Sequence, residues 1–160
     1  MQTNPEKLRS WLVAWMYAVV AGHLAVGLLL PWIASLPLVE GYHVYVEKQF
    51  WGQNIPQGVR PVQEWWIALF GPTVAGMSIW MGTLVYFGAH YRNSIAWASL
   101  IIGTLVWAPQ DMYISLQRDV WLHVYLDSFA LLSMLPPLFW LWQHDRQTTQ
   151  RNAAYEKSAP

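Results

Sequence analysis

Apolar positions along this chain fall into four long runs separated by polar breaks. The runs are Trp11–Trp32, Trp65–Phe87, Ile95–Leu116 and Val120–Trp142. The first two hold no formal charge, and His23 is the most polar member of the first. The third carries Asp111 and the fourth Asp127. About 20 apolar residues, at 1.5 Å of helix rise each, cross a hydrocarbon layer of ~30 Å. Helices of a soluble protein would need a polar face, and these runs have almost none. The pattern therefore predicts an all-α integral membrane protein, a bundle of four transmembrane helices. The first run follows Lys7 and Arg9, as a secretory leader would. Its apolar stretch exceeds the roughly 7–15 residues of a leader's apolar core, so it is expected to stay in the protein.

The polar breaks differ in length. Residues Ile33–Glu64 form a long connection, in which Val39, Tyr42, Val46 and Phe50 recur near helical spacing. This predicts a short amphipathic helix on the membrane surface, ending near Gly52, followed by turns over Gln53–Gly58. The connections Gly88–Ser94 and Gln117–Asp119 are tight, which makes the runs they join antiparallel neighbours. Residues 1–146 read as one membrane domain and residues 147–160 as a mobile polar tail.

Composition strengthens the membrane reading. Hydrophobic residues make up 55% of the chain and charged residues 11%, against about a quarter charged in soluble domains. The 12 Trp residues suit a membrane–water interface, where the ring is buried and the N–H stays wet. Nine basic residues balance nine acidic ones, leaving no surplus to neutralise phosphates, so nucleic acid is not an expected partner. The lipid bilayer is the expected partner, with a hydrophobic small molecule or a membrane protein beside it. The absence of cysteine excludes disulfides, thiolate catalysis and iron–sulfur ligation in this chain.

Charge placement suggests sidedness. Lys7, Arg9, Arg92, Arg146, Arg151 and Lys157 flank one side of the four runs, and Lys48, Arg60 and Arg118 the other. The richer side is the cytoplasmic one by the positive-inside rule. Both chain ends are then expected in the cytoplasm, with the long connection outside an inner (cytoplasmic) membrane. In this reading Arg9 and Asp145-Arg146 act only as flanks.

Within the runs, Gly71, Ala75 and Gly82, and Ala18, Ala21, Gly22 and Ala25, are spaced to let helices approach closely. Pro72, Pro109 and Pro136-Pro137 lie inside the runs, and each removes an amide donor.

The candidate chemistry concentrates near the outer surface. Ionisable residues inside a span cost about 2.5–3.5 kcal/mol each and so mark sites or clamps. Asp111 lies roughly 8 Å, and Asp127 roughly 10 Å, below the same surface by helix rise. His123 and Asp127 are four residues apart on one helix face. Asp111, His123 and Asp127 are the candidate acid–base groups. Gln110, Tyr113, Arg118 and Glu64 are near enough to join a ligand-binding site, with His23 as its floor. Three arrangements fit: a clamp pairing Arg118 with Asp111 or Asp127 and His123 with Asp127, a pocket open to the outer leaflet, or a proton-coupled transport path.

No cofactor is expected. His23 and His123 differ in depth by about 10 Å, which is awkward for a shared haem iron, and no metal motif is present. The leading expectation is a small polytopic inner-membrane protein that binds a hydrophobic or lipid-like molecule in an acid-lined pocket, or that supports a larger membrane complex. An Asp/His acid–base enzyme and a proton-coupled small-molecule transporter are the alternatives.

Overall fold

The computed structural model describes residues 4–158. The chain is all-helical: α1 (Pro5–Ile33), α2 (Glu40–Trp51), α3 (Val59–Tyr91), α4 (Ser94–Leu116) and α5 (Trp121–Ser158). A 3-10 turn, Pro37–Val39, leads into α2. The last residues of the expected polar tail, 159–160, lie outside the described residues, while α5 itself continues to Ser158.

Three helices are long and apolar enough to cross a membrane: α1, α3 and the Trp121–Arg151 part of α5. This corrects the expectation of four spans. In α4, Pro109, Gln110 and Asp111 stand in a row, and Ser99, Thr104 and Ser115 add further polar positions. A count of charges alone passes such a segment, whereas its mean hydropathy falls short of that of the three spanning helices. The sidedness drawn from four crossings falls with them.

Local sequence explains where the helices begin and end. The Asn4 side chain accepts from the Glu6 amide at 3.0 Å, and Pro5 opens α1 without a missing donor. The Asn93 carboxamide accepts from the Ile95 and Ala96 amides and starts α4. The tight turn after α4 places Asp119 in the left-handed region at φ 54°. There the Val120 amide donates to the Ser115 carbonyl at 3.0 Å, and the Asp119 amide to that of Leu116 at 3.2 Å. This pair of bonds is the Schellman closure. It folds α5 back along α4. Gly52, at φ 60°, ends α2 where the sequence expects it to end.

α1 packs along α3 and α4 along α5, while α3 meets α4 and α1 meets α5. The core holds Leu12, Met16, Val85, Trp97, Leu100, Ile101, Met134, Leu138 and Leu141. Large apolar side chains elsewhere, among them Trp32, Trp80, Ile95, Phe129 and Leu132, are exposed, as a lipid-facing surface requires. α1 and α3 approach backbone to backbone. A methyl group on Gly27 would overlap the Ala75 backbone, and one on Gly71 would overlap Pro31. Gly22, by contrast, meets nothing within 4 Å, so Gly27 rather than Gly22 carries the crossing on α1.

The helix prolines leave carbonyls free, and one of these is used. Pro137 cannot donate to Ser133, four residues back. The indole of Trp15 donates to that Ser133 carbonyl instead, at 3.0 Å, tying α1 to α5.

Candidate functional site

Polar side chains collect at both ends of the helices. One end holds the chain's start, the α3–α4 connection and the later turns of α5, and the other holds α2 and the α4–α5 turn. They are called here the terminal end and the loop end.

At the loop end α2 lies as a cover, fastened at several points. The His43 ring, 1% exposed, donates from Nε2 to the Ala34 carbonyl at 2.7 Å. Arg60, at the start of α3, donates to Glu47 at 2.6 and 2.9 Å and also pairs with Glu40. The Tyr45 hydroxyl donates to the Asp119 carbonyl at 3.2 Å. Hydrogen bonding from Arg60 holds the buried Glu47 carboxyl below the usual carboxylate range.

Beneath this cover runs a chain of hydrogen bonds. The Tyr42 hydroxyl meets His123 Nε2 at 3.0 Å, with the two rings stacked at 5.9 Å. His123 Nδ1 meets Ser115 Oγ at 3.2 Å, and Ser115 Oγ donates to Asp111 Oδ1 at 3.4 Å. The α4–α5 turn makes this possible, because it sets Ser115 and His123 beside each other across the two helices. Burial, with the charge of Asp111 adding to it, raises the Tyr42 phenol above its ordinary range, so Tyr42 stays a donor at neutral pH.

One turn beyond His123, Asp127 is 6% exposed, and its Oδ2 has no hydrogen-bond partner. It lies near enough to Asp111 to interact electrostatically. A buried acceptor without a donor is costly. Shallow open grooves lie at the same end. One is lined by Tyr45, Trp121, Leu122 and Tyr125, and another by Lys48, Gly52, Gln53 and Ile55. Neither is lined by the acids.

The expected members therefore separate. Asp111 and His123 are joined through Ser115, and Asp127 stands beside them. Arg118 pairs with neither acid; its guanidinium lies over the Phe50 ring at 5.2 Å. His123 bonds Tyr42 and Ser115 and not Asp127. Tyr113 is 65% exposed and points away. Gln110 bonds back to the Val106 carbonyl of its own helix, and His23 bonds back to Val19 at 2.9 Å. Glu64 is half-buried on α3 and makes no hydrogen bond or ion pair among those found in the described residues. Among the described residues, no three His, Cys, Asp or Glu side chains converge to hold a metal ion.

Tyr42 and Ser115 join the chain of bonds although sequence reasoning did not count them as site residues. Ser115 follows Asp111 by four residues on one helix face, which was a usable signal. Tyr42 lies 81 residues from its partner, and only the docking of α2 reveals it.

The terminal end, read from sequence as plain flanks, holds the densest charge cluster. Arg9 donates to Asp145 at 2.8 and 2.9 Å and to the Gly88 and Ala89 carbonyls at 3.2 and 3.1 Å. The Trp97 indole donates to Asp145 at 2.9 Å, and His144 Nδ1 lies 3.2 Å from it. Arg92 binds Glu6 at 2.7 Å and lies 3.7 Å from Asp145. Asp145 is fully buried and Arg9 is 9% exposed. Gly88 must be glycine here, because a methyl group would overlap the Trp97 ring. The cluster joins α1, α3, α4 and α5, with both carboxylate oxygens of Asp145 engaged, and it is a clamp in the chain's own structure.

No family model, curated protein or solved structure matches this chain.

Proposed function

We propose that this protein resides in a cytoplasmic membrane and holds an amphiphilic, lipid-like molecule by its polar head at the loop-end cluster. The observation that carries this reading is the bare Oδ2 of Asp127. It is a buried acceptor that a hydroxyl or amine of such a head would satisfy. The aromatic groove of Tyr45, Trp121, Leu122 and Tyr125 at the same end is suited to the apolar part. The contrast with the terminal end supports the same reading. Asp145 has its partners within the protein, whereas among the described residues no hydrogen bond reaches either oxygen of Asp127.

The test is native mass spectrometry of protein extracted gently from membranes, in the natural form and as Asp127→Leu. A small amphiphile is expected to travel with the natural protein and to be absent from the variant. Equal retention in both, or no retained molecule and no stabilisation by membrane lipid extract in either, overturns the proposal.

A second reading, acid–base catalysis on such a bound molecule, draws on the unbroken run of Tyr42, His123, Ser115 and Asp111. Tyr42, His123 and Ser115 lie 3.0 and 3.2 Å apart, within the reach that proton transfer requires, and Asp111 lies 3.4 Å from Ser115.

A further inference from the structure

The four groups at the loop end differ in what they can donate. An ionised carboxylate only accepts, a phenol or serine hydroxyl does both, and a neutral imidazole carries its proton on one nitrogen. With Asp111 ionised, Ser115 must donate to it, because a carboxylate only accepts. The Ser115 proton is then committed, so His123 must donate to Ser115 Oγ from Nδ1. Nε2 is left bare and accepts from the Tyr42 hydroxyl. Every proton in the run points the same way, toward Asp111.

With Asp111 protonated, each assignment reverses. The carboxylic acid donates to Ser115 Oγ, and Ser115 donates to His123 Nδ1. Nε2–H then donates to the Tyr42 oxygen. Both states satisfy every group in the run, and transfer along it needs Ser115 Oγ and Asp111 Oδ1 to close from their 3.4 Å separation.

We infer that Tyr42, His123, Ser115 and Asp111 form a reversible proton relay, carrying a proton between the half-buried Tyr42 hydroxyl and the acids beneath α2. This activity goes beyond amphiphile binding and does not depend on it. In the inward step a proton from water bonds to the Tyr42 oxygen. The Tyr42 proton passes to His123 Nε2, and the Nδ1 proton passes to Ser115 Oγ. The Ser115 proton then passes to Asp111 Oδ1. Four bonds to hydrogen form as three break within the run and one breaks in the donating hydronium, and the net change is one proton gained by the carboxylate. No oxidant, metal or further reactant takes part.

The run's surroundings agree with this role. The groups that face it are Tyr42 and, edge-on to its ring at 6.0 Å, His43 from α2, Asp111 and Ser115 from α4, and His123 and Asp127 from α5. Among the described residues no hydrogen bond or ion pair joins it to a charged side chain of α1 or α3. Arg118, the nearest cation in sequence, is turned onto Phe50. A cation paired with Asp111 would hold the carboxylate ionised and the run in one direction. The phenol, raised by burial and by Asp111, remains a proton donor at neutral pH.

The experiment reads the protonated nitrogen of His123 directly, by nitrogen NMR of the labelled full chain in lipid nanodiscs, across a pH titration. The natural protein should show the Nδ1–H form at high pH and switch to Nε2–H as pH falls. Asp111→Asn, whose side chain cannot gain or lose a proton, should hold neutral His123 in one tautomer and abolish the pH-driven switch. Ser115→Ala should lose the switch, and Ser115→Thr, which keeps the hydroxyl, should restore it. An Nε2–H form at high pH in the natural protein overturns the inference. So does a switch that survives Asp111→Asn, or a His123 that becomes doubly protonated without passing through the switch. Asp111→Asn removes a negative charge without changing side-chain size, so the test stands even if Ser115→Ala fails to fold.

Discussion

Asp145→Asn is the most informative perturbation of the fold. Asp145 is fully buried and takes two hydrogen bonds from Arg9 and one from Trp97. The amide keeps the volume and removes the charge. Arg9 keeps its carbonyl partners, Gly88 and Ala89, but loses its counter-ion, and Arg92 at 3.7 Å loses part of its own. Breaking a buried pair from one side costs about 3–5 kcal/mol, because the surviving charge is left uncompensated. An ordinary side-chain hydrogen bond between membrane helices contributes only about 0.6 kcal/mol, so the two magnitudes separate a charge clamp from routine polar contact. The assay is reversible unfolding by SDS in mixed micelles, followed by circular dichroism. Asp145→Asn should lose at least about 3 kcal/mol. Arg9→Met should lose a similar amount, and the double variant less than the sum by about 2 kcal/mol, since neither charge is then stranded. Additive effects, each under about 1 kcal/mol, would refute the clamp.

The docking of α2 should weaken in acid. Arg60 holds the Glu47 carboxyl below its usual range, so the folded state favours the charged form. The stability this contributes is present above about pH 4.5 and is lost as pH falls through the depressed folded value. Hydrogen exchange of α2 amides, corrected for intrinsic rates, should show protection falling over that acid range, and Glu47→Gln should remove the pH dependence. At the α1–α3 crossing, Gly27→Ala should cost about 1–3 kcal/mol by overpacking, since its methyl meets backbone. Gly22→Ala, which meets nothing within 4 Å, should be neutral or slightly stabilising by helix propensity; equal losses at both positions in the SDS assay would show that the crossing is elsewhere.

The long apolar runs were legible because helix and lipid make opposite demands on one side chain set: backbone bonds inside, apolar atoms outside. The same logic, applied as a count of charges, over-read α4. Its row Pro109-Gln110-Asp111 belongs to a helix whose residues Ala96, Trp97, Leu100, Ile101, Thr104, Ala108 and Ser115 are buried, so packing against its neighbours is what its composition serves. Arg118 shows a second limit. Opposite charges at suitable spacing suggest a pair, yet Phe50, reached only after α2 folds over, takes the guanidinium instead.

Sequence alone determined the helical class, the apolar length of the three helices able to cross a membrane, and the end of α2 at Gly52. Each follows from local rules: helix rise, transfer cost and the backbone freedom of glycine. Tertiary structure alone decided partnership. Arg9 and Asp145 are 136 residues apart and looked like two separate flanks until α1 and α5 met. Tyr42 was one aromatic among many until α2 laid it on His123. Depth is a one-dimensional quantity that the chain carries along its length. Which faces meet at that depth depends on helix rotation and on loop closure, and these emerge only when all the helices pack at once.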